Sequence, residues 1–202
     1  MSLLRGSTGF LRYSIEGDLP GNLVDFVTER LGNNAFVDID DSYQERSIGW
    51  TSLFDTLGPR FDDGNHVVGD NLVFTLRIDE RKVAPAALKK FCQKEEERVK
   101  KMKQVPRLSR AQRLEIKENI RLQLMKKAVP VPTVVDVWWS LADNTVYLLG
   151  TSTKLQEIFE TMFRDSFNLG VVLQVPYLAA QRLIPKERHA ALDELTPCIF
   201  AA

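Results

Sequence analysis

Apolar and polar residues alternate with two different periods along this chain, and the switches between them divide it into elements. From Ser2 to Glu16, Gly and Arg interrupt the apolar residues, and the stretch reads as a strand. Asp18-Leu19-Pro20-Gly21-Asn22 is a turn and helix-start signal. Leu23, Phe26, Val27 and Leu31 then recur at helical spacing until Gly32-Asn33-Asn34 stops the helix. Ala35 to Ile39 and Ile48 to Phe54 look extended, with the acidic turn Asp38-Ile39-Asp40-Asp41 beside them. Gly58 to Asp70 is dense in Gly, Asp and Pro and reads as a loop, and Asn71 to Asp79 (NLVFTLRID) as a strand of alternating character.

A helical pair comes next. Pro85 sits where a first-turn proline belongs, and Leu88, Phe91, Cys92, Val99 and Met102 mark one helix face. Val105-Pro106 breaks that helix, and Ser109 can cap a second one running to about Lys127. Val129-Pro130-Val131-Pro132 forces an extended exit. Thr133 to Leu141 and Thr145 to Leu149 read as two strands around Ala142-Asp143-Asn144. Thr151 or Thr153 can cap a helix through Phe167, with Leu155, Ile158, Phe159, Met162 and Phe163 facing inward. Gly170 ends it, Val171 to Val175 is the last strand, and Lys186 to Leu195 a short terminal helix.

The order strand–helix–strand–strand, helical hairpin, strand–strand–helix–strand predicts an α+β fold. Two similar strand/helix halves would form antiparallel-rich sheets, with a basic helical hairpin inserted between them. Residues 1–83 and 130–202 make the α+β body and residues 84–129 the hairpin arm.

Composition adds little until the charge is located. The chain has 202 residues, 44% hydrophobic and 27% charged, which is ordinary for a globular protein and excludes disorder or a collagen-like repeat. It contains no run of 18 apolar residues and no apolar signal core, so we expect a cytoplasmic protein without a membrane partner. Cys92 and Cys198 fit a reducing compartment. Taken as an average, the formal net charge of zero argues against nucleic acid, but Arg81 to Lys127 holds 16 basic residues and five acids, a balance of +11. The rest of the chain carries −11, and such asymmetry bears on partners.

The basic residues lie in rows. Lys90, Lys94, Arg98 and Lys101 fall within about 80° of arc on the first helix. Arg107, Arg110, Arg113, Lys117 and Arg121 occupy roughly 120° on the second, with Leu114 inside that arc and Ile116, Ile120 and Leu124 as the apolar edge. Lys100, Lys103, Lys126 and Lys127 extend the basic surface. Such rows suit the phosphates of a duplex without reading bases. Two other readings stand beside this one. In one, the rows are no more than solvated faces, with Glu96/Lys100 and Glu97/Lys101 as ordinary i,i+4 pairs. The arm could also dock an acidic protein surface, including the body of a second copy.

Catalytic chemistry finds little support. Asp38, Asp40, Asp41, Asp62, Asp63 and Asp70 could be imagined as a metal-dependent nuclease site, a third reading. They sit in Gly/Asn-rich turns, where Asp is favoured by local backbone bonding. His66 and His189 have no ligands at metal spacing, and Cys92 falls on an apolar helix face. Phosphate-binding glycine loops and nucleophile elbows are absent from the sequence. Trp138 and Trp139 point to opposite sheet faces, so one should be core and the other could stack on a base. We therefore expect no enzyme activity, no metal, no cofactor and no small-molecule substrate.

The stretch from Gly49-Trp50 to Pro176 resembles the recombination-associated protein RdgC family of bacteria. The similarity runs through LVFTLRIDERKVAPAALKK, the Lys/Glu/Arg-rich hairpin, DVWWSLADNTVYLLGTS, TKLQEIFETMFRDSF and LGVVLQVP. The resemblance implies a non-enzymatic, nucleoid-associated protein that binds duplex DNA with little sequence preference. It further implies a homodimer forming a ring with a basic hole, opposing recombinase filaments during recombination and replication. The family's basic arm carries over to Arg98, Lys100, Lys101, Lys103, Arg107, Arg110 and Arg113, and its return loop to Lys126 and Lys127. The family has also carried an exonuclease label, for which this sequence shows no motif. Relatives are longer in their C-terminal portion, and their return loop is often aromatic where this chain has Ala128-Val129-Pro130-Val131-Pro132. Those departures bear on ring closure and on insertion into DNA.

Overall fold

A computed structural model describes residues 9–195 except 43, 59 and 62. In chain order the elements are β1 (Leu11–Glu16), α1 (Leu23–Asn33), β2 (Arg46–Ser52), β3 (Val67–Val68), β4 (Asn71–Arg81), α2 (Pro85–Lys103) and α3 (Arg110–Lys127). There follow β5 (Pro130–Ser140), β6 (Thr145–Leu148), α4 (Thr153–Phe167), β7 (Gly170–Leu173), α5 (Pro176–Leu183) and α6 (His189–Asp193). The fold is α+β, as the element order predicts. The strands of both halves join one seven-stranded antiparallel sheet in the order β2-β4-β5-β6-β1-β7, with β3 paired to β4. They do not form separate sheets, because β1 leaves its own half to pair with β6 on one side and β7 on the other.

β4 and β5 run together along their whole length, from Asn71↔Ser140 to Arg81↔Pro130. β5 thus starts earlier than the sequence suggests, at Pro130. The prolines are tolerated there because β6 pairs only with Val137 to Ser140, leaving the start of β5 with an open edge. The hairpin arm is the connection between the two longest strands of the sheet, and it leaves from their shared end.

One sheet face is a large apolar core. Leu72, Phe74 and Leu76 of β4, Trp50 of β2 and Trp139 of β5 meet Val27 and Leu31 of α1 and Phe159, Phe163 and Phe167 of α4. Phe163 lies 5.4 Å from Trp139 and 4.7 Å from Phe167, ring centroid to ring centroid. Each such side chain contributes about 1.5–3 kcal/mol by leaving water. The inward stripe of α4 is the one its sequence periodicity marks, although its N-cap is Ser152 and its left-handed C-cap Asn168. Trp139 is fully buried while Trp138 on the opposite face is exposed and donates to Asn71 Oδ1 at 2.7 Å.

The opposite face of β4, a strand of alternating character, is buried as well, and mostly polar. Arg77 makes a two-pronged bond to Asp79 (2.9 and 2.7 Å), donates to the Thr56 carbonyl and lies 4.2 Å above the Phe36 ring. Arg81 donates to the carbonyls of Ile39, Asp40, Ser42, Gln44 and Ala128. The chain between α1 and β2 covers these groups by running against β2. Phe36 N–H donates to Trp50 O (2.9 Å) and Trp50 N–H to Asn34 O (3.0 Å). Residues 36–39, which the sequence suggests are extended, form no strand beyond an isolated bridge at Ala35. Helix α5, opened by a first-turn proline at Pro176, is an element the sequence reading does not include. The predicted terminal helix is split into a 3-10 turn (Lys186–Arg188) and α6. Residues 2–8 of the predicted first strand, Asp62 and Cys198 lie outside the described residues.

His66 is buried with its ring edge against Phe61, Nε2 2.8 Å from Thr28 Oγ1, and Nδ1 without a protein partner. Burial holds its pKa below the ordinary 6.5, against a smaller raising effect of Asp63. A depressed histidine pKa means that the unfolded chain takes up the proton first. Stability is therefore full above about pH 6.5 and falls as the pH drops below it. Urea titrations at pH 7.5 and 5.5 should show this loss, and His66→Gln should shrink it. An unchanged pH dependence in that variant would remove His66 as the cause.

Candidate nucleic-acid interface

The hairpin stands on its own small core. Leu108, Ile116 and Ile120 are buried against Leu88, Cys92, Val99, Val105 and Leu124. Pro85 opens α2, as its fixed backbone favours, and Gln104 in a left-handed conformation (φ 51°) closes it. Ser109 caps α3 as predicted. Its hydroxyl accepts from Gln112 N–H at 3.2 Å, while Gln112 Oε1 accepts from Ser109 N–H at 2.9 Å. Phe91 and Met102, expected on the apolar face, are 41% and 64% exposed. They lie on the flank of α2, beyond the stripe that meets α3.

Twelve of the thirteen candidate cations are exposed, and Lys100 is half-buried. The structure groups them unevenly. Lys100, Arg107 and Arg113 meet around one groove with Leu108 and Glu96. Arg113 continues into the adjoining groove with Arg110, Lys117 and Lys89. Arg98 and Lys126 line the opposite side of the hairpin, beside Glu95 and Gln123. Lys90, Lys94 and Lys101 line none of these grooves, and neither do Lys103 and Lys127 at the ends of the helices. The two rows therefore do not face one another. Arg107 also precedes α3, so helical spacing does not place it. The chain turn at Gln104 does.

Several charges are partly committed. Arg98 holds Glu95 through two bonds of 2.8 and 2.6 Å, raising the guanidinium pKa and lowering that of the carboxylate. Arg121 lies 3.8 Å from Glu118 and 3.9 Å from Glu45 of the body. No ion pair joins Glu96 to Lys100 or Glu97 to Lys101 among the described residues. Arg81, counted in the basic stretch, is 6% exposed and bonded to carbonyls, so it contributes nothing to the outer surface. Residues 84–129 keep 14 basic and five acidic residues, a balance of +9.

The first turn of α3 contains no acid, and Arg110 and Arg113 stand there instead. Cations oppose the helix dipole at that end and lower helix stability. With the Gln112 and Arg113 N–H groups spent on Ser109, the guanidinium groups of Arg110 and Arg113 are what this end offers an anion. Lys89 belongs to this surface and is absent from the basic rows. Its signal was its position one turn after Pro85; it is exposed, on the side of α2 that lines a groove with α3.

The acidic turns behave as local structure. Asp38 Oδ1 accepts from Asp40 N–H (2.6 Å), Asp63 Oδ1 from Asn65 N–H (3.3 Å), and Asp55 Oδ1 from Leu57 and Gly58 N–H. No group of three or more His, Cys, Asp or Glu stands ready for a metal among the described residues. No helix among them is long and apolar enough to cross a membrane.

A family model described as "Putative exonuclease, RdgC" matches residues 11–182, spanning both the sheet and the hairpin. No curated protein sequence matches the chain.

Proposed function

The chain belongs to the RdgC family, and from that premise we propose that it binds duplex DNA without sequence preference and acts in recombination or replication without catalysing a reaction. The observation that carries this reading is the gathering of Lys100, Arg107, Arg110, Arg113 and Lys117 in two adjoining grooves along the first two turns of α3. Placing arginines where the helix dipole repels them costs stability, and a bound polyanion offsets that cost. Lys and Arg dominate this cluster, which favours phosphate contact over base reading. Each phosphate neutralised releases counterions and adds affinity.

In support of a non-catalytic role, the turn carboxylates already accept backbone N–H groups. Divalent-dependent degradation of DNA that disappears in Asp63→Asn would overturn that part. Two copies around one duplex, associated with the nucleoid, extend the reading on the family resemblance. Sedimentation with and without duplex tests the pairing, and a single copy per duplex would count against it.

The main test is filter binding to random-sequence duplex over a salt series. The logarithm of affinity should fall with log salt by about 0.9 per phosphate contacted. Changing Arg107, Arg110 and Arg113 together to Glu should abolish binding. Undiminished binding by that folded triple variant would sink the reading.

A further inference from the structure

Leu114 is 60% exposed in the middle of the basic surface of α3, where phosphate binding has no use for it. It forms one wall of a groove of about 550 Å³ between α2 and α3, within the roughly 300–1,000 Å³ typical of ligand clefts. The apolar lining comes from Leu88 and Cys92 on α2, Leu114 on α3, and Pro85. Around it stand Lys89, Arg110, Arg113 and Lys117, against a single acid, Glu96. An apolar floor with a cationic rim is complementary to apolar side chains flanked by carboxylates.

We propose that this groove docks an acidic amphipathic helix of another protein, its apolar face on Leu88, Cys92 and Leu114 and its carboxylates on the rim. Helix-in-groove recognition needs such a floor, and the rim selects the charge of the guest. DNA would gain nothing from the apolar floor, because phosphate oxygens lose hydration there without a donor. A second copy is a poor guest. The helices α1 and α4 already bury their apolar faces against the sheet, and two +9 hairpins repel one another. This inference does not rest on the DNA reading. The two share Arg110, Arg113 and Lys117, so peptide and duplex compete for one rim.

The probe is a fluorescein-labelled peptide with Leu at i, i+3, i+4 and i+7 and Glu elsewhere, followed by anisotropy with the full chain. Leu114→Ser changes an exposed side chain. It should weaken peptide binding about tenfold while leaving duplex affinity within about twofold, the loss expected for one apolar contact. A peptide with Ser in place of Leu should bind more weakly by at least about tenfold. Saturating peptide should slow alkylation of Cys92, read by mass spectrometry of the peptide that contains it. Equal binding of the Leu and Ser peptides would reduce the effect to bulk charge and overturn the proposal. Undiminished binding by Leu114→Ser, or unprotected Cys92, would do the same. A dimer of the free protein that dissociates in Leu114→Ser would give the groove to a second copy instead.

Discussion

Arg81→Met lowers the unfolding free energy by about 3–5 kcal/mol, read in urea or thermal unfolding. The methionine keeps most of the aliphatic volume and removes every donor. Five carbonyls, those of Ile39, Asp40, Ser42, Gln44 and Ala128, then lose a partner, the first in a buried bond and the others in part-buried ones. At about 2–4 °C per kcal/mol for a chain of this size, the Tm falls by roughly 10 °C. Because Ala128 follows α3 while the other carbonyls belong to residues 39–44, the variant should also become cleavable where the arm meets the sheet. Lys82→Met is the contrast. Its exposed pair with Glu80 at 3.2 Å sits one residue away and should matter by less than about 1 kcal/mol. If both variants lost the same small amount, Arg81 would not be the fastener described.

Gly49→Ala has a comparable effect from the addition of one methyl group. A Cβ at Gly49 would stand 2.3 Å from Phe36 Cα, 2.5 Å from Phe36 N and 2.8 Å from the Ala35 carbonyl carbon. These are backbone atoms held to Trp50 on both sides, so they cannot step aside like a flexible side chain. Moving them would lift Phe36 off Arg77 and open the polar layer above β4. The expected cost is about 3 kcal/mol or more, at the upper end for overpacking. Gly32→Ala, near the end of α1 with nothing within 4 Å of its added Cβ, should instead stabilise by about 0.5–1 kcal/mol. Equal behaviour of the two variants would mean that segment 34–36 does not press on β2.

The elements that could be read from the chain were those whose causes are local. The cap at Ser109, the proline start of α2, the stripe of α4 and the opposed Trp138 and Trp139 each need only a few neighbouring residues. The basic surface was found as a set of residues but not as a shape. Helical arithmetic cannot place Arg107, which precedes its helix, and cannot say that Lys89 lines a groove with α3. Arg81 reads as one more cation, because its burial is created by residues 39–44 and Ala128, distant in sequence. Gly49-Trp50 stood out as a dipeptide. Its reason, a backbone passing against it, exists only in three dimensions.

The position of β1 constrains how the molecule is made. Its partners are Leu148 for Leu11 and Gly170 for Glu16, so it waits for more than a hundred residues of chain before any ladder can close on it. Loop-closure entropy makes such pairing late and slow. During synthesis the arm can form its helices and β4 can join β5 while the first strand still has no place in the sheet. A ribosome paused just after the hairpin would therefore hold an unfinished sheet with its apolar face open. The charged hairpin is then the part already fit for water, and it stands next to the surface most prone to aggregation.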